Sequence, residues 1–162
     1  IKENPHCKII IIERSLIADK NIFMQMLYDD GQVEKMEYDI YNQWYAEFID
    51  EYRVDAIIYL DSDADVCAKR INQRNRVGEE GIPLSYLEKC QAYHTHWLIN
   101  TVIECEPTVQ LSDHIFRYKI NHDNFIYQVL RVNTNGNTKY EDDDNIGISW
   151  LSCVKQFVCD NI

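Results

Sequence analysis

The stretch Ile-Ile-Ile-Ile-Glu-Arg-Ser, residues 9–15, carries the strongest structural signal in the chain. A run of four β-branched apolar residues predicts a strand that is covered on both faces, as in a parallel sheet. An acid and a base, Glu13 and Arg14, follow directly, so they would stand at the carboxyl end of that strand. Ligands of open α/β sheets bind beyond this end of the strands. The stretch therefore predicts both a sheet and a site.

Strand and helix patterns alternate along the rest of the chain. Ala56–Leu60 predicts a second buried strand, and Ile115–Ile120 predicts an edge strand because Arg117 and Lys119 alternate with apolar residues. Helical spacing of apolar residues predicts helices over residues 19–29, 37–52, 63–76, 83–103 and 148–158. Asp19 would be the N-cap of the first of them. This alternation predicts an α/β fold in which helices flank a parallel sheet and right-handed crossovers join the strands.

The residues before the last helix predict a loop. Asn133–Thr138 is rich in turn-forming residues, and Glu141–Asp144 is an acidic run. Because such residues favour solvent over a packed core, we expect residues 133–147 to form a solvated loop insertion. We expect residues 1–162 to form a single, partial domain around it.

Net charge limits the partners. The 162 residues include 27 acids and 16 bases, which gives a net charge of -11. Nucleic acids and anionic membranes bind positive surfaces, so we expect neither as a partner. The six cysteines form no Cys-x-x-Cys pair and fit reduced thiols. We therefore expect an intracellular protein, cytoplasmic in the first place, with the mitochondrion and a viral factory left open.

Glu13 and Arg14 are the first candidate site residues. A carboxylate at a strand end can hold Mg²⁺ directly or through water, and a guanidinium can fork onto a phosphate or a carboxylate. Side chains of neighbouring strand residues point to opposite faces, so the two serve one site only if the strand ends between them. The alternative is a salt-bridged pair that closes the strand.

An arginine cluster is the second candidate. Arg70 and Arg74 are four residues apart on a predicted helix face, where like charges repel unless an anion lies opposite. Arg76 joins them if the helix unwinds near Gly78. Phosphate binding is one interpretation, and complementing the helix dipole is the other. Glu79, which follows, would either bind a sugar hydroxyl or neutralise the arginines.

Four stretches together resemble the deoxynucleoside kinase family, which comprises the deoxycytidine, deoxyguanosine and insect-type multisubstrate enzymes. They are IIIIERSLIADKNIF (Ile9–Phe23), YNQWYAEF (Tyr41–Phe48), DAIIYL (Asp55–Leu60) and VCAKRINQRNRVGEEGIPLSYLEKC (Val66–Cys90). The combination of these stretches is far more specific for the family than any one of them alone.

The resemblance implies a P-loop kinase-like α/β fold, usually in a homodimer. It implies transfer of the γ-phosphoryl group of ATP to the 5′-hydroxyl of a deoxynucleoside, with Mg²⁺. In this family Glu13 would help to hold Mg²⁺, and Arg14 would contact the acceptor end and the catalytic carboxylate. Arg70, Arg74 and Arg76 would form a lid over the donor phosphates, with Arg70 nearest the adenine.

The resemblance also implies contacts for the acceptor. Glu79 would match the sugar 3′-hydroxyl contact, and Phe23 would stack against the base. Asp19 falls where the family senses the base, although a role as helix cap is the rival. Asp123 lies near the family's adenine loop.

One family element has no counterpart here, because no Gly-x-x-x-x-Gly-Lys-Ser/Thr loop occurs in the 162 residues. The resemblance places that loop and the general-base glutamate upstream of Ile1, so we expect residues 1–162 alone to be inactive. Two alternatives stay open. One is a thymidylate-kinase-like nucleotide kinase, which would need a further basic contact for the acceptor phosphate, and the other is a non-catalytic nucleotide-binding subunit.

Overall fold

The structure, a computed structural model, describes residues 9–79, 81–102, 108–136 and 146–161. The described residues divide into two compact units, one that ends at Val54 and one that runs from Asp55 to Asn161. The first unit is helical, and the second holds a sheet with helices.

Consecutive helical segments make up much of the first unit. The α-helix α1 (Leu16–Ala18), a π-helix (Asp19–Met24) and α2 (Gln25–Asp29) follow one another, and the long helix α3 (Lys35–Tyr52) comes next. A capping box between Glu34 and Glu37 opens α3. The buried residues here are Ile17, Ile22, Met26, Tyr45 and Ile49. The helices predicted over residues 19–29 and 37–52 are therefore confirmed, with earlier starts.

Ser15, and not Asp19, caps the first helical segment. The Ser15 hydroxyl accepts a hydrogen bond from the backbone N–H of Ala18 at 3.3 Å. The N–H of Asp19 already donates to the Ser15 carbonyl at 3.0 Å. An N-cap residue lies outside the helix and its side chain satisfies a free N–H, so the interpretation of Asp19 as the N-cap was wrong. Its side chain is thereby left for another role.

Residues Ile9–Ile12 do not form the predicted buried strand. They belong to no strand or helix, and between 45% and 75% of each residue is exposed. A β-branched run predicts extended backbone, but only pairing with a neighbour converts it into a strand. The described residues provide no such ladder, so this prediction was wrong.

The second unit is built on a mixed four-stranded sheet. Its strands are β1 (Ala56–Asp61), β2 (Val109–Ser112), β3 (Ile115–His122) and β4 (Phe125–Asn133), and their spatial order is β1-β4-β3-β2. The β1–β4 pair is parallel, and the other two pairs are antiparallel. The α/β class and the strand at β1 are confirmed, but the sheet is parallel only in part.

The third predicted strand lies inside the sheet. Strand β3 pairs with β2 on one side and β4 on the other, so its assignment as an edge strand was wrong. Arg117 and Lys119 are tolerated there because they project from one side only, opposite the buried Tyr118 and Ile120. Strands β2 and β4 were not predicted.

Three helices complete the second unit: α4 (Ala64–Arg74), α5 (Leu84–Leu98) and α6 (Ile146–Asp160). They confirm the helices predicted over residues 63–76, 83–103 and 148–158, although α4 and α5 end earlier than expected. The core of this unit is a cluster of Ile115, Leu130, Val132, Trp150 and Phe157. This packing holds the carboxyl ends of β1 and β4 beside each other, with Asp61 paired to Asn133.

Within the described residues, no helix is long and apolar enough to cross a bilayer.

Candidate functional site

Arg14 and Phe23 make a contact in the first unit. The Arg14 guanidinium carbon lies 4.6 Å from the centre of the Phe23 ring, a cation–π geometry. Arg14 has a positive φ of 63°, a backbone conformation that a non-glycine residue adopts at a cost of about 1–3 kcal/mol. This turn occurs directly before Ser15, which starts the helix. The chain therefore bends so that the arginine and the ring face each other.

Asp19 stands on the same helical run as Phe23, four residues earlier. Side chains at this spacing leave a helix on the same side. The Asp19 carboxylate accepts a hydrogen bond from the hydroxyl of Tyr41 at 2.7 Å, across to α3. Burial, and then the bond to Asp19, raises the pKa of the Tyr41 phenol. Three predicted site residues, Arg14, Asp19 and Phe23, thus lie close together in one unit.

Glu13 is exposed at the bend before the helix. A single exposed carboxylate fits Mg²⁺ that is held mainly by water and by substrate phosphates. It does not make a protein-built metal site, and the described residues contain no cluster of three His, Cys, Asp or Glu that could hold a metal ion.

Arg70 lies at the carboxyl ends of β1 and β4 in the second unit. Its guanidinium donates to the Ser62 hydroxyl at 2.8 Å and to the carbonyls of Thr134 and Gly136 at 2.5 and 3.1 Å. Thr134 in turn bonds the Asp61 backbone and the Ser62 hydroxyl. Arg70 therefore ties α4 to the two segments that leave the parallel strands.

The start of the predicted loop insertion is held at this edge. Asn135 donates to the Asp63 carboxylate at 2.9 Å and accepts from the Asp63 N–H at 2.8 Å. Residues 137–145, with the acidic run, lie outside the described residues, so a solvated insertion over residues 133–147 stays a prediction. The contacts of residues 133–136 were missed because the turn-rich sequence gives no sign of partners some 70 residues away.

Arg74, Arg76 and Glu79 come together after α4. Asn75, with a φ of 48°, ends that helix in a left-handed conformation. The turn brings Glu79 against Arg74, whose Nε and Nη2 donate to Oε2 at 3.2 and 2.6 Å. Arg76 Nη1 lies 3.7 Å from the other oxygen of Glu79. Glu80, the neighbouring acid, lies outside the described residues.

Asp123 is not brought to the arginines. With Asn124 it forms a tight turn between β3 and β4, and both residues have positive φ. Its carboxylate lies 3.4 Å from His122 Nε2. Arg70 contacts the residues at the opposite end of β4, a strand of nine residues that spans roughly 30 Å. The role of Asp123 in ATP binding stays a prediction without support from this geometry.

Sequence reasoning missed a buried charged group beside the Arg70 contacts. Asp61 is only 8% exposed, and one of its oxygens accepts from Arg131 Nε and Nη2 at 2.8 and 2.5 Å. The Tyr59 hydroxyl donates to the other oxygen at 3.0 Å. Asp61 directly follows the apolar run Ala56–Leu60 in the sequence. Its partner lies 70 positions away on β4, which no local pattern reveals.

Comparison with known proteins assigns the class. The deoxynucleoside kinase family model matches residues 2–134. The chain is also 33% identical over 152 residues to the probable deoxycytidine kinase of fowlpox virus (strain NVSL), which covers 92% of this chain and 55% of the viral protein. The chain belongs to the deoxynucleoside kinase family.

Vertebrate relatives agree with this assignment. The deoxycytidine kinase of Bos taurus is 32% identical over 131 residues, 75% of this chain and 50% of that protein. The mitochondrial deoxyguanosine kinase of Xenopus laevis is 33% identical over 108 residues, 64% of this chain and 40% of that protein. The chain thus spans about half the length of the curated relatives that it matches.

Proposed function

We propose that this chain is part of an ATP-dependent deoxynucleoside kinase that phosphorylates the 5′-hydroxyl of a deoxynucleoside. The observation that carries the proposal is the cluster of Arg74, Arg76 and Glu79 after α4, within the residues that match the family. Two guanidinium groups next to each other suit a reaction in which negative charge moves between phosphates. Phosphoryl transfer is catalysed mainly by positioning the reactants and by neutralising the negative charge of the phosphates.

Arg74 and Arg76 are the proposed donors to the transferring phosphoryl group. Their side chains are 51% and 67% exposed, so an incoming polyphosphate can reach both. Arg70 is the third arginine proposed for ATP, and its fixed guanidinium favours a role at the base of the lid. Glu79 is the proposed contact for the sugar hydroxyl.

Glu13, Arg14, Asp19 and Phe23 are proposed to serve the acceptor and the metal. The exposed Glu13 carboxylate would bind hydrated Mg²⁺, and the ion would neutralise phosphate charge when bound. Arg14 would meet the acceptor end. The Phe23 ring and the Asp19 carboxylate, on one side of the same helix, supply a flat apolar surface and a hydrogen-bond acceptor for a base.

Relatives named deoxycytidine and deoxyguanosine kinases support these two nucleosides as the first substrates to test. We propose an assay of the full-length gene product with labelled ATP, the four deoxynucleosides and their monophosphates. A deoxynucleoside kinase labels at least one nucleoside and no monophosphate. A thymidylate-kinase-like enzyme gives the reverse, and a nucleotide-binding subunit labels neither. Residues 1–162 alone, which contain no phosphate-binding loop motif, are expected to label none.

We also propose a homodimer that forms through α3. Large apolar side chains recur at every fourth position of this helix and are 67%, 59% and 49% exposed at Met36, Ile40 and Trp44. Such a stripe favours packing against a second copy of the same helix. Sedimentation velocity should show a dimer that Ile40→Glu dissociates, whereas Gln43→Glu on the same helix should leave it intact. A monomeric parent protein, or a dimeric Ile40→Glu variant, would contradict the proposal.

A cytoplasmic location is the last part of the proposal. Cys67, Cys153 and Cys159 are free thiols, which fits a reducing compartment. Relatives include a viral and a mitochondrial protein. Fluorescence microscopy of the tagged full-length product should show diffuse cytoplasmic signal, and overlap with a mitochondrial marker or a viral factory would decide against it.

A further inference from the structure

Tyr41 reaches from α3 to the Asp19 carboxylate. Its hydroxyl donates to Asp19 Oδ2 at 2.7 Å. The phenol is half-buried, and burial together with this bond raises its pKa, so it remains a protonated donor at neutral pH. Its ring contacts Trp44 at a centroid distance of 6.1 Å, and Trp44 packs on Phe48 at 5.2 Å. The Tyr41 ring, and with it the hydroxyl, is therefore positioned by the packing of aromatic rings along α3.

Asp19 is held at its backbone as well. It is the first residue of the π-helix, and its N–H is bonded to the Ser15 carbonyl at 3.0 Å. Such wide turns are frequent at functional sites. With the backbone fixed and Oδ2 taken by Tyr41, the carboxylate cannot rotate without losing a hydrogen bond.

The other carboxylate oxygen is free to accept. Within the described residues, Asp19 Oδ1 has no hydrogen-bond partner, and the residue is exposed. Phe23 lies one turn further on with Arg14 over its ring. An acceptor oxygen beside an aromatic face suits a base that carries an amino group, such as cytosine, adenine or guanine. A base that presents a carbonyl oxygen at this position, as thymine does, would be repelled.

We propose that Tyr41 is a positioning residue that aims Asp19 Oδ1 at the amino group of the substrate base, and so helps to set base specificity. This inference rests on the proposed function, in which Asp19 and Phe23 receive a deoxynucleoside. Tyr41 itself touches Asp19 and not the reacting atoms. Its effect should therefore fall on nucleoside binding and on the choice between bases, and not on the chemical step.

The test is Tyr41→Phe in the full-length gene product, which removes only the hydroxyl. The matched control is Tyr38→Phe, because Tyr38 lies on the same helix, stacks on Tyr28 at 4.1 Å and donates to Gln25. We expect Tyr41→Phe to raise the KM and the equilibrium Kd for deoxycytidine about fivefold to tenfold. The kcat and the KM for ATP should stay unchanged, and preference for deoxycytidine over thymidine should fall. Tyr38→Phe should change none of these.

A double-mutant cycle with Asp19→Asn assigns the effect to the pair. Once Asp19→Asn is in place, Tyr41→Phe should have little further effect on the Kd. A Tyr41→Phe effect that equals that of Tyr38→Phe, that lowers kcat, or that persists undiminished in Asp19→Asn would overturn the inference.

Measurement of deoxynucleoside binding in the absence of ATP distinguishes a failure of this inference from a failure of the proposed kinase activity. If the protein binds deoxycytidine but transfers no phosphate, the proposed activity fails, and the Kd values of the variants still decide on Tyr41. If it transfers phosphate and Tyr41→Phe behaves as the parent, only the inference about Tyr41 fails. If it neither binds nor phosphorylates any deoxynucleoside, both are overturned.

Discussion

Arg74 donates two hydrogen bonds to a single oxygen of Glu79, from Nε at 3.2 Å and from Nη2 at 2.6 Å. The arginine proposed for the donor phosphates and the acid proposed for the acceptor sugar are thus paired with each other. Because half of the Arg74 side chain is exposed, the pair contributes at most about 1 kcal/mol. In the proposed function, a polyphosphate would displace Glu79 from Arg74, and the released carboxylate would then bind the sugar hydroxyl.

This pairing predicts separate effects of Glu79→Gln on the two substrates. The neutral amide binds a sugar hydroxyl less well, so the KM for the deoxynucleoside should rise about tenfold. The KM for ATP should stay constant or fall, because Arg74 and Arg76 lose their competing carboxylate. Steady-state kinetics of the full-length product would measure both. Glu88→Gln, an exposed change on α5, should alter neither value, and an equal rise of both KM values in Glu79→Gln would contradict the exchange.

Substitution of Arg70 should weaken both the stability of the fold and the binding of ATP. Lysine keeps the charge, but its single ammonium nitrogen cannot reproduce the two terminal nitrogens that bond Ser62 on one side and Thr134 and Gly136 on the other. We expect Arg70→Lys to lower the free energy of unfolding by about 1–2 kcal/mol and to raise the KM for ATP. Urea unfolding and kinetics give the two values.

Ser62→Ala removes one partner of Arg70 and is the comparison variant. It should lower the stability in the same direction and by less. If Arg70→Lys changes the KM for ATP with no loss of stability, Arg70 acts as a ligand contact and not as a structural tie.

The Asp61–Arg131 pair predicts a large stability effect. Arg131→Met nearly keeps the length of the side chain. Among the described residues, it leaves the nearly buried Asp61 carboxylate with the Tyr59 hydroxyl as its one remaining donor. An uncompensated buried charge costs several kcal/mol, and we expect a loss of about 2–4 kcal/mol in urea unfolding. Arg117→Met removes an ion pair of similar length, 2.6 Å to Asp160, whose partners are 30% and 34% exposed. That loss should be clearly smaller, and equal losses would refute the assignment.

The helices were predictable because their signal is local. Apolar spacing in residues 37–52 and 63–76 is satisfied within each segment, and α3 and α4 formed there. The strands depend on distant partners. Ile9–Ile12 has the composition of a strand but pairs with no strand among the described residues, whereas β4 carries Gln128 and Arg131 and still pairs with β3 from Phe125 to Val132. Arg131 is accommodated on β4 by its ion pair with Asp61.

The same division holds in the candidate site. The spacing of Arg70, Arg74 and Arg76 was visible in the sequence, and Glu79 lies only five residues beyond Arg74. The Tyr41–Asp19 bond joins residues 22 positions apart, so no local sequence pattern reveals it. The π-helix that starts at Asp19 has no sequence signature, because propensities do not separate it from an α-helix.

The role of Arg74 in the proposed phosphoryl transfer is tested most directly by measuring the activity of the full-length product with Arg74→Ala and of the same product with Lys69→Ala. Lys69 is a cation on the same helix, 72% exposed and paired with Asp65. Loss of a donor to the transferring group should lower kcat/KM at least about 100-fold, whereas Lys69→Ala should stay within about twofold of the parent. Turnover by Arg74→Ala equal to that of Lys69→Ala would contradict the proposed lid over the donor phosphates.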